Sequence, residues 1–103
     1  MNLLMSTPDN TIKRIIETNL LGSIYCTKAI IPPMIKSKMG RIINFSSIAV
    51  RIGAKGEATY IASKGGVEAF SRSIARELSP ANITVNTISP AYIETRLSSS
   101  LPA

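Results

Sequence analysis

Apolar residues recur at Ile12, Ile15, Ile16, Leu20, Ile24, Ile30 and Ile31, the spacing of one inward helical face. Ser6-Thr7-Pro8-Asp9 stands just before the run and reads as its start. Thr7 offers a capping oxygen, Pro8 suits the first turn, and Asp9 suits the positive end of the helix. Pro32-Pro33 is expected to bend or interrupt this helix, and Gly40 to end whatever follows. Arg-Ile-Ile-Asn-Phe at 41–45 then reads as a short strand, with Ser46 and Ser47 as turn residues. A loop carrying Gly53 and Gly56 leads into a second helix over roughly 57–78, ending before Pro80. Ile-Thr-Val-Asn-Thr-Ile at 83–88 is a second strand, stopped by Ser89-Pro90.

The order helix–strand–helix–strand predicts an α/β fold with a βαβ crossover and two parallel strands. Ligands of such sheets bind beyond the carboxyl ends of the strands. Ser47 falls just past the first strand, and Pro90-Ala91-Tyr92-Ile93-Glu94-Thr95 just past the second. A site is therefore expected at that rim, close to the start of the second helix.

Composition narrows the chemistry. With 103 residues, 45% of them hydrophobic, the chain can form one small packed domain and not two. It has no histidine, so the usual neutral-pH base is missing. The single cysteine, Cys26, excludes an intrachain disulfide and is expected as a small buried residue in a reducing compartment. The first residues lack a basic stretch and a long apolar run, and Lys28 breaks the best membrane candidate. A cytoplasmic protein with no membrane partner is expected. Net charge is +6, but the twelve basic residues are spread along the chain. The one cluster, Lys36, Lys38 and Arg41, has no aromatic side chains interleaved to stack bases, so no nucleic-acid partner is expected.

Candidate chemistry lies in Tyr60-Ile61-Ala62-Ser63-Lys64. Residues four apart share a helix face, so a phenol and an ammonium emerge side by side. A fixed positive charge beside a phenol favours its ionised form and makes it a usable general acid–base. Each residue also has a plainer reading. Tyr and Lys at this spacing can be an exposed amphipathic pair, and Ser47 a turn or capping serine. Thr95 can cap a turn, and Ile93 can be core. Asn19 falls inward between Ile16 and Leu20, where it must find a hydrogen-bond partner. Gly65-Gly66 inside a helix costs roughly 1 kcal/mol per residue against alanine, which close packing on a neighbouring helix would offset.

Order and spacing together change the weighing. Glu-Thr-Asn19-Leu-Leu-Gly, Gly40-Arg-Ile-Ile-Asn-Phe-Ser-Ser47, Tyr60-x-x-x-Lys64, Ile83-Thr-Val-Asn86 and Pro90-Ala-Tyr-Ile-Glu-Thr95 resemble the second half of the short-chain dehydrogenase/reductases. The wording is most similar to the bacterial 3-oxoacyl-acyl-carrier-protein reductases. The resemblance implies a piece of a Rossmann-like, doubly wound parallel sheet. It further implies an oxidoreductase moving hydride between NADP or NAD and a carbonyl or secondary alcohol, with a small carbonyl compound or acyl thioester as substrate. Tyr60 is then the proton donor, Lys64 its electrostatic partner and a ribose ligand, and Ser47 a donor to the carbonyl oxygen. Asn19 holds a water, Ile93 through its backbone and Thr95 hold the nicotinamide carboxamide, and Pro90 and Ala91 belong to the same cofactor-binding strap. A homo-oligomer through the two long helices is implied as well.

Two departures accompany the resemblance. Ala91 stands where the family usually has glycine. The family's opening glycine-rich phosphate loop is not in this sequence, which gives the expectation of a single partial domain over 1–103 carrying the catalytic half. A non-catalytic, dimerising fragment of such a reductase is the alternative expectation.

Overall fold

Helix α1 (Asp9–Ile16) starts directly after Pro8, whose carbonyl accepts the N–H groups of Thr11 and Ile12 at 3.0 and 3.2 Å. Thr7 is not the cap. Its hydroxyl donates instead to the Leu3 carbonyl at 2.8 Å, beside a 3₁₀ turn at Leu4–Ser6. In this computed structural model, which describes residues 3–89, a π-helical segment at Glu17–Leu21 follows α1. Helix α2 (Gly22–Ser37) continues from it with no break in helical backbone angles.

The prolines do not interrupt α2, contrary to expectation: Pro32 and Pro33 lie inside it. Each removes the intrahelical partner of a carbonyl one turn back, at Lys28 and Ala29. Both of those residues are exposed, so water can take over the bonds. The helix ends where Lys38 turns left-handed, with φ at 61°. Two further expectations on α2 are corrected. Ile30 is exposed, and the buried position is Thr27, flanked by the half-buried Ile24 and Ile31. Cys26 is exposed rather than buried, because it faces away from that stripe.

Strands β1 (Gly40–Phe45) and β2 (Ile83–Ile88) pair in parallel, in register from Gly40 opposite Ile83 to Phe45 opposite Ile88. A short helix α3 (Ala49–Ile52) and the long α4 (Ala58–Leu78) form the crossover between them. Both strands and the second long helix stand where the pattern placed them, within one residue.

Alternation along the strands sends Ile42, Ile83 and Val85 to one face. There they meet Ile31 and Met34 of α2 and Ile74 and Leu78 of α4. Burying each large side chain contributes roughly 1.5–3 kcal/mol, so this cluster joins both helices to the sheet. Ile43, Phe45 and Ile88 point the other way and are exposed. Among the described residues, helices cover one face of the sheet only.

Gly66 brings α4 against the π-helical segment: a Cβ there would lie 2.9 Å from Leu20 Cδ2. The expected close approach of a neighbouring helix is thus found at Gly66. No described helix is long and apolar enough to cross a membrane.

Candidate active site

Tyr60 and Lys64 stand one turn apart at the start of α4, and their side chains share a face. The Lys64 Nζ lies 5.8 Å from the centroid of the Tyr60 ring, within the range where a cation is drawn to an aromatic face. The ammonium also donates to the carbonyl of Phe45, the last residue of β1, at 3.4 Å. Lys64 thus bridges the phenol and the carboxyl end of the strand.

Ser46, just past β1, bonds both to the neighbouring strand and to α4. The Ser46 N–H donates to the Ile88 carbonyl at 2.8 Å, carrying the ladder one residue past β1. The buried Ser46 hydroxyl reaches the Lys64 carbonyl at 3.5 Å. The end of β1 therefore meets the turn that carries the phenol and the ammonium, with the end of β2 paired beside it.

Ser47 follows, half-buried. Its Oγ accepts the Ala49 N–H at 3.2 Å and its carbonyl accepts the Val50 N–H at 3.0 Å. It thus forms a serine turn leading into α3, whose N-cap position is Ile48. Its hydroxyl hydrogen has no acceptor among the described residues, and it makes no direct bond there to Tyr60 or Lys64.

Asn19 sits in the middle of the π-helical segment, where such an irregularity in a helix often marks a functional position. Its amide Nδ2 donates to Ser63 Oγ at 3.2 Å, answering the demand for a partner. Its backbone carbonyl accepts the Ser23 hydroxyl at 2.8 Å. The structure therefore brings Asn19 to the helix turn of Tyr60 and Lys64, with Ser47 two residues beyond the strand end that holds Lys64. Pro90, Ala91, Ile93 and Thr95 lie outside the described residues.

A cleft of about 420 Å³ opens beside Tyr60, between Leu4, Thr7, Thr11 and Ile15 on one side and the 56–60 stretch on the other. The sequence reading missed this wall, since the residues before α1 were weighed only as a helix start. It also missed Ser63 and Ser46. Ser63, Val67, Ser71 and Leu78 form the buried stripe of α4, and a serine repeated on an inward stripe was the available sign.

The chain matches the short chain dehydrogenase family model over residues 2–103. The 3-oxoacyl-acyl-carrier-protein reductase FabG of Chlamydia pneumoniae is 41% identical over 100 residues, which is 97% of this chain and 40% of that protein. FabG of Escherichia coli strain K12 is 42% identical over 100 residues, covering 97% of this chain and 41% of the relative. The 3-oxoacyl-acyl-carrier-protein reductase of Synechocystis is 43% identical over 89 residues, covering 86% and 36%. This chain spans about two fifths of the length of the curated relatives it matches. Its parallel strands, the phenol–ammonium pair at their rim and the family match carry one conclusion: the chain belongs to the short-chain dehydrogenases.

Proposed function

We propose that this chain carries the proton-transfer side of a short-chain reductase, which interconverts a carbonyl and a secondary alcohol with NADP or NAD as hydride carrier. The observation that carries the reading is the Lys64 ammonium held between the Tyr60 ring and the Phe45 carbonyl.

A nicotinamide cofactor fits the donor set. Among the described residues the ammonium has one acceptor, the Phe45 carbonyl, and a Lys side chain offers three donors. Two are left for ribose hydroxyls at the rim where ligands of parallel sheets bind. When bound, the cofactor supplies or accepts the hydride. Lys64 would hold its ribose, Ile93 and Thr95 its carboxamide, and Pro90 and Ala91 would belong to the same strap.

The remaining steps belong to side chains of this chain. In the reductive direction the Tyr60 hydroxyl gives its proton to the substrate carbonyl oxygen as that oxygen gains negative charge. In the oxidative direction it takes the proton back. Lys64 opposes the charge left on the phenol. Ser47 still has its hydroxyl hydrogen to donate to the carbonyl oxygen, which is the arrangement that stabilises charge developing there. Asn19 holds a water that returns a proton toward Lys64. The substrate class is a carbonyl compound or acyl thioester, with 3-oxoacyl-acyl-carrier protein as the specific candidate, supported by the relatives' names. A cytoplasmic location belongs to the same reading, supported by a single cysteine that cannot form an intrachain disulfide.

The test is oxidation of NADPH by the full-length protein with an acetoacetyl thioester. Tyr60→Phe should lower kcat by at least about 100-fold, the usual worth of a positioned acid–base group. Activity unchanged in Tyr60→Phe would overturn the proton-donor role. A second reading, an oligomer-forming chain without catalysis, is favoured by the apolar side chains that α2 leaves uncovered at Tyr25, Ile30 and Ile35. Sedimentation and NADPH oxidation, measured on the same preparation, separate the two. A defined oligomer without NADPH oxidation would support this second reading, and a homo-oligomer with activity the first.

A further inference from the structure

Ser63 has no role in the reading above, yet its side chain has the most restricted surroundings in α4. It is 0% exposed. Its hydroxyl donates to the Tyr60 carbonyl at 2.6 Å and accepts the Asn19 amide at 3.2 Å. One oxygen thus links the π-helical segment to the turn bearing the phenol and the ammonium. The Ser23 hydroxyl donates to the Asn19 backbone carbonyl one turn back, which leaves Ser63 as the protein partner of the Asn19 amide among the described residues. Gly66 lets Leu20 pack closely on α4, since a Cβ there would lie 2.9 Å from Leu20 Cδ2.

The chemistry of the link is directional. A serine hydroxyl has one hydrogen, and here the Tyr60 carbonyl takes it. Its oxygen is left able to accept only, so it fixes which end of the Asn19 amide faces α4: the NH₂ group does, and the amide oxygen points away. An asparagine meant to hold a water or a proton relay needs that orientation set, because either end of a free amide can turn toward a partner. The back-bond from Ser63 to the Tyr60 carbonyl also ties the orientation to the residue whose proton moves.

We infer that Ser63 is a positioning residue: it sets the orientation of Asn19 relative to Tyr60 and Lys64, and acts on the reaction only through Asn19. The inference rests on the reductase reading proposed above. Ser63 touches neither substrate nor cofactor. Ser63→Ala removes one oxygen and leaves helix propensity favourable, so the amide loses its acceptor with little change of shape.

The experiment compares Ser63→Ala, Asn19→Ala and the double variant in the full-length enzyme, at saturating cofactor and thioester. Ser63→Ala is expected to lower kcat about tenfold or more, as misplaced catalytic groups do, with the KM for NADPH within twofold of wild type. In the Asn19→Ala background the same change should cost less than twofold, since its effect runs through that side chain. A serine that is merely structural gives a lower melting temperature with kcat unchanged, or losses that multiply in the double variant. Either result overturns the inference. Should Ser63→Ala not accumulate as folded protein, Ser63→Cys is measured in the same cycle, since sulfur is a weak hydrogen-bond partner. Tyr60→Phe runs alongside. Full activity in that variant would overturn the reductase reading itself. An inactive Tyr60→Phe with wild-type kcat in Ser63→Ala overturns only the role of Ser63.

Discussion

Gly65 and Gly66 are neighbours in α4 with the same chemistry and different surroundings, which makes them a controlled pair. Neither has the left-handed backbone that would forbid a side chain. Alanine in a helix interior is better than glycine by about 1 kcal/mol, so both substitutions begin with the same gain. At Gly65 the new Cβ would sit 3.6 Å from Val50 Cγ1, an ordinary contact. Gly65→Ala is therefore expected to stabilise by about 1 kcal/mol. At Gly66 the new Cβ would sit 2.9 Å from Leu20 Cδ2 and 3.0 Å from Cδ1. Both branches of the leucine are in the way, so no small tilt clears them and the side chain must leave its rotamer. That costs about 0.5–1.5 kcal/mol, or about 1–3 if the packing cannot relax. Gly66→Ala should therefore come out between stabilised by about 0.5 and destabilised by about 2 kcal/mol, and about 0.5–3 kcal/mol worse than its neighbour. Urea unfolding of the full-length protein, followed by circular dichroism, measures both on one scale. If Gly66→Ala stabilises as much as Gly65→Ala, then α4 does not press on the π-helical segment as described. The coupling of Asn19 to Tyr60 through that contact would fall with it.

Three further substitutions test other parts of the frame. Lys38 holds a left-handed backbone at the end of α2, so Lys38→Gly should raise stability by about 1 kcal/mol in the same unfolding experiment. A loss would mean that the lysine side chain contributes more than its strained backbone costs. Gly53 has φ 74° and ψ 159°, a region nearly closed to other residues, while its Cβ position has no atom within 4 Å. Gly53→Ala should therefore destabilise by about 1–3 kcal/mol through the backbone alone, and an unchanged midpoint would refute that cause. Ser71→Ala removes the acceptor of the half-buried Asn44 amide, bonded at 2.8 Å. It should lose about 1–2 kcal/mol, and Asn44→Ala in the same background should then cost little more.

Most of the frame was legible because each element carried its own punctuation. The strand at 83–88 alternates sharply between Asn82, left-handed at its start, and Ser89-Pro90 at its end. The crossover helix carries a buried stripe from Ser63 to Leu78 that a period of 3.6 reproduces. Where the reading failed, a local rule met an environment it does not see. Pro32-Pro33 looked like a break, but both lie inside α2, and the carbonyls they leave unbonded belong to exposed residues that water can reach. Cys26 looked like core by residue type, yet its place on α2 is set by the stripe beside it. Thr7 was one residue too early to cap α1, because Pro8 already provides the carbonyl that receives the first N–H groups.

At the candidate site the shared face of Tyr60 and Lys64 was legible, and the linkages around it were not. A Tyr-x-x-x-Lys spacing states that two groups share a face, and the 5.8 Å approach bears that out. It says nothing of the Ser46 and Phe45 contacts that press the face onto the strand end, since those depend on partners far along the chain. The π-helical segment around Asn19 was nonetheless written in the pattern. Ile12, Ile16, Leu20 and Ile24 are all half-buried and follow one another in steps of four. An α-helix turns in 3.6 residues, so three such steps run ahead of the turn by about one residue. A straight helix would carry Ile24 off the inward face. Widening one turn to an i→i+5 bond, seen where the Gly22 N–H reaches the Glu17 carbonyl, absorbs that surplus residue. The wide turn sets the Asn19 carbonyl against the Ser23 hydroxyl and its amide against Ser63. The stripe that holds the helix to the core and the irregularity that aims the asparagine therefore have one origin, the repeated step of four. Moving one of those isoleucines by a single position should displace Asn19 as surely as replacing it.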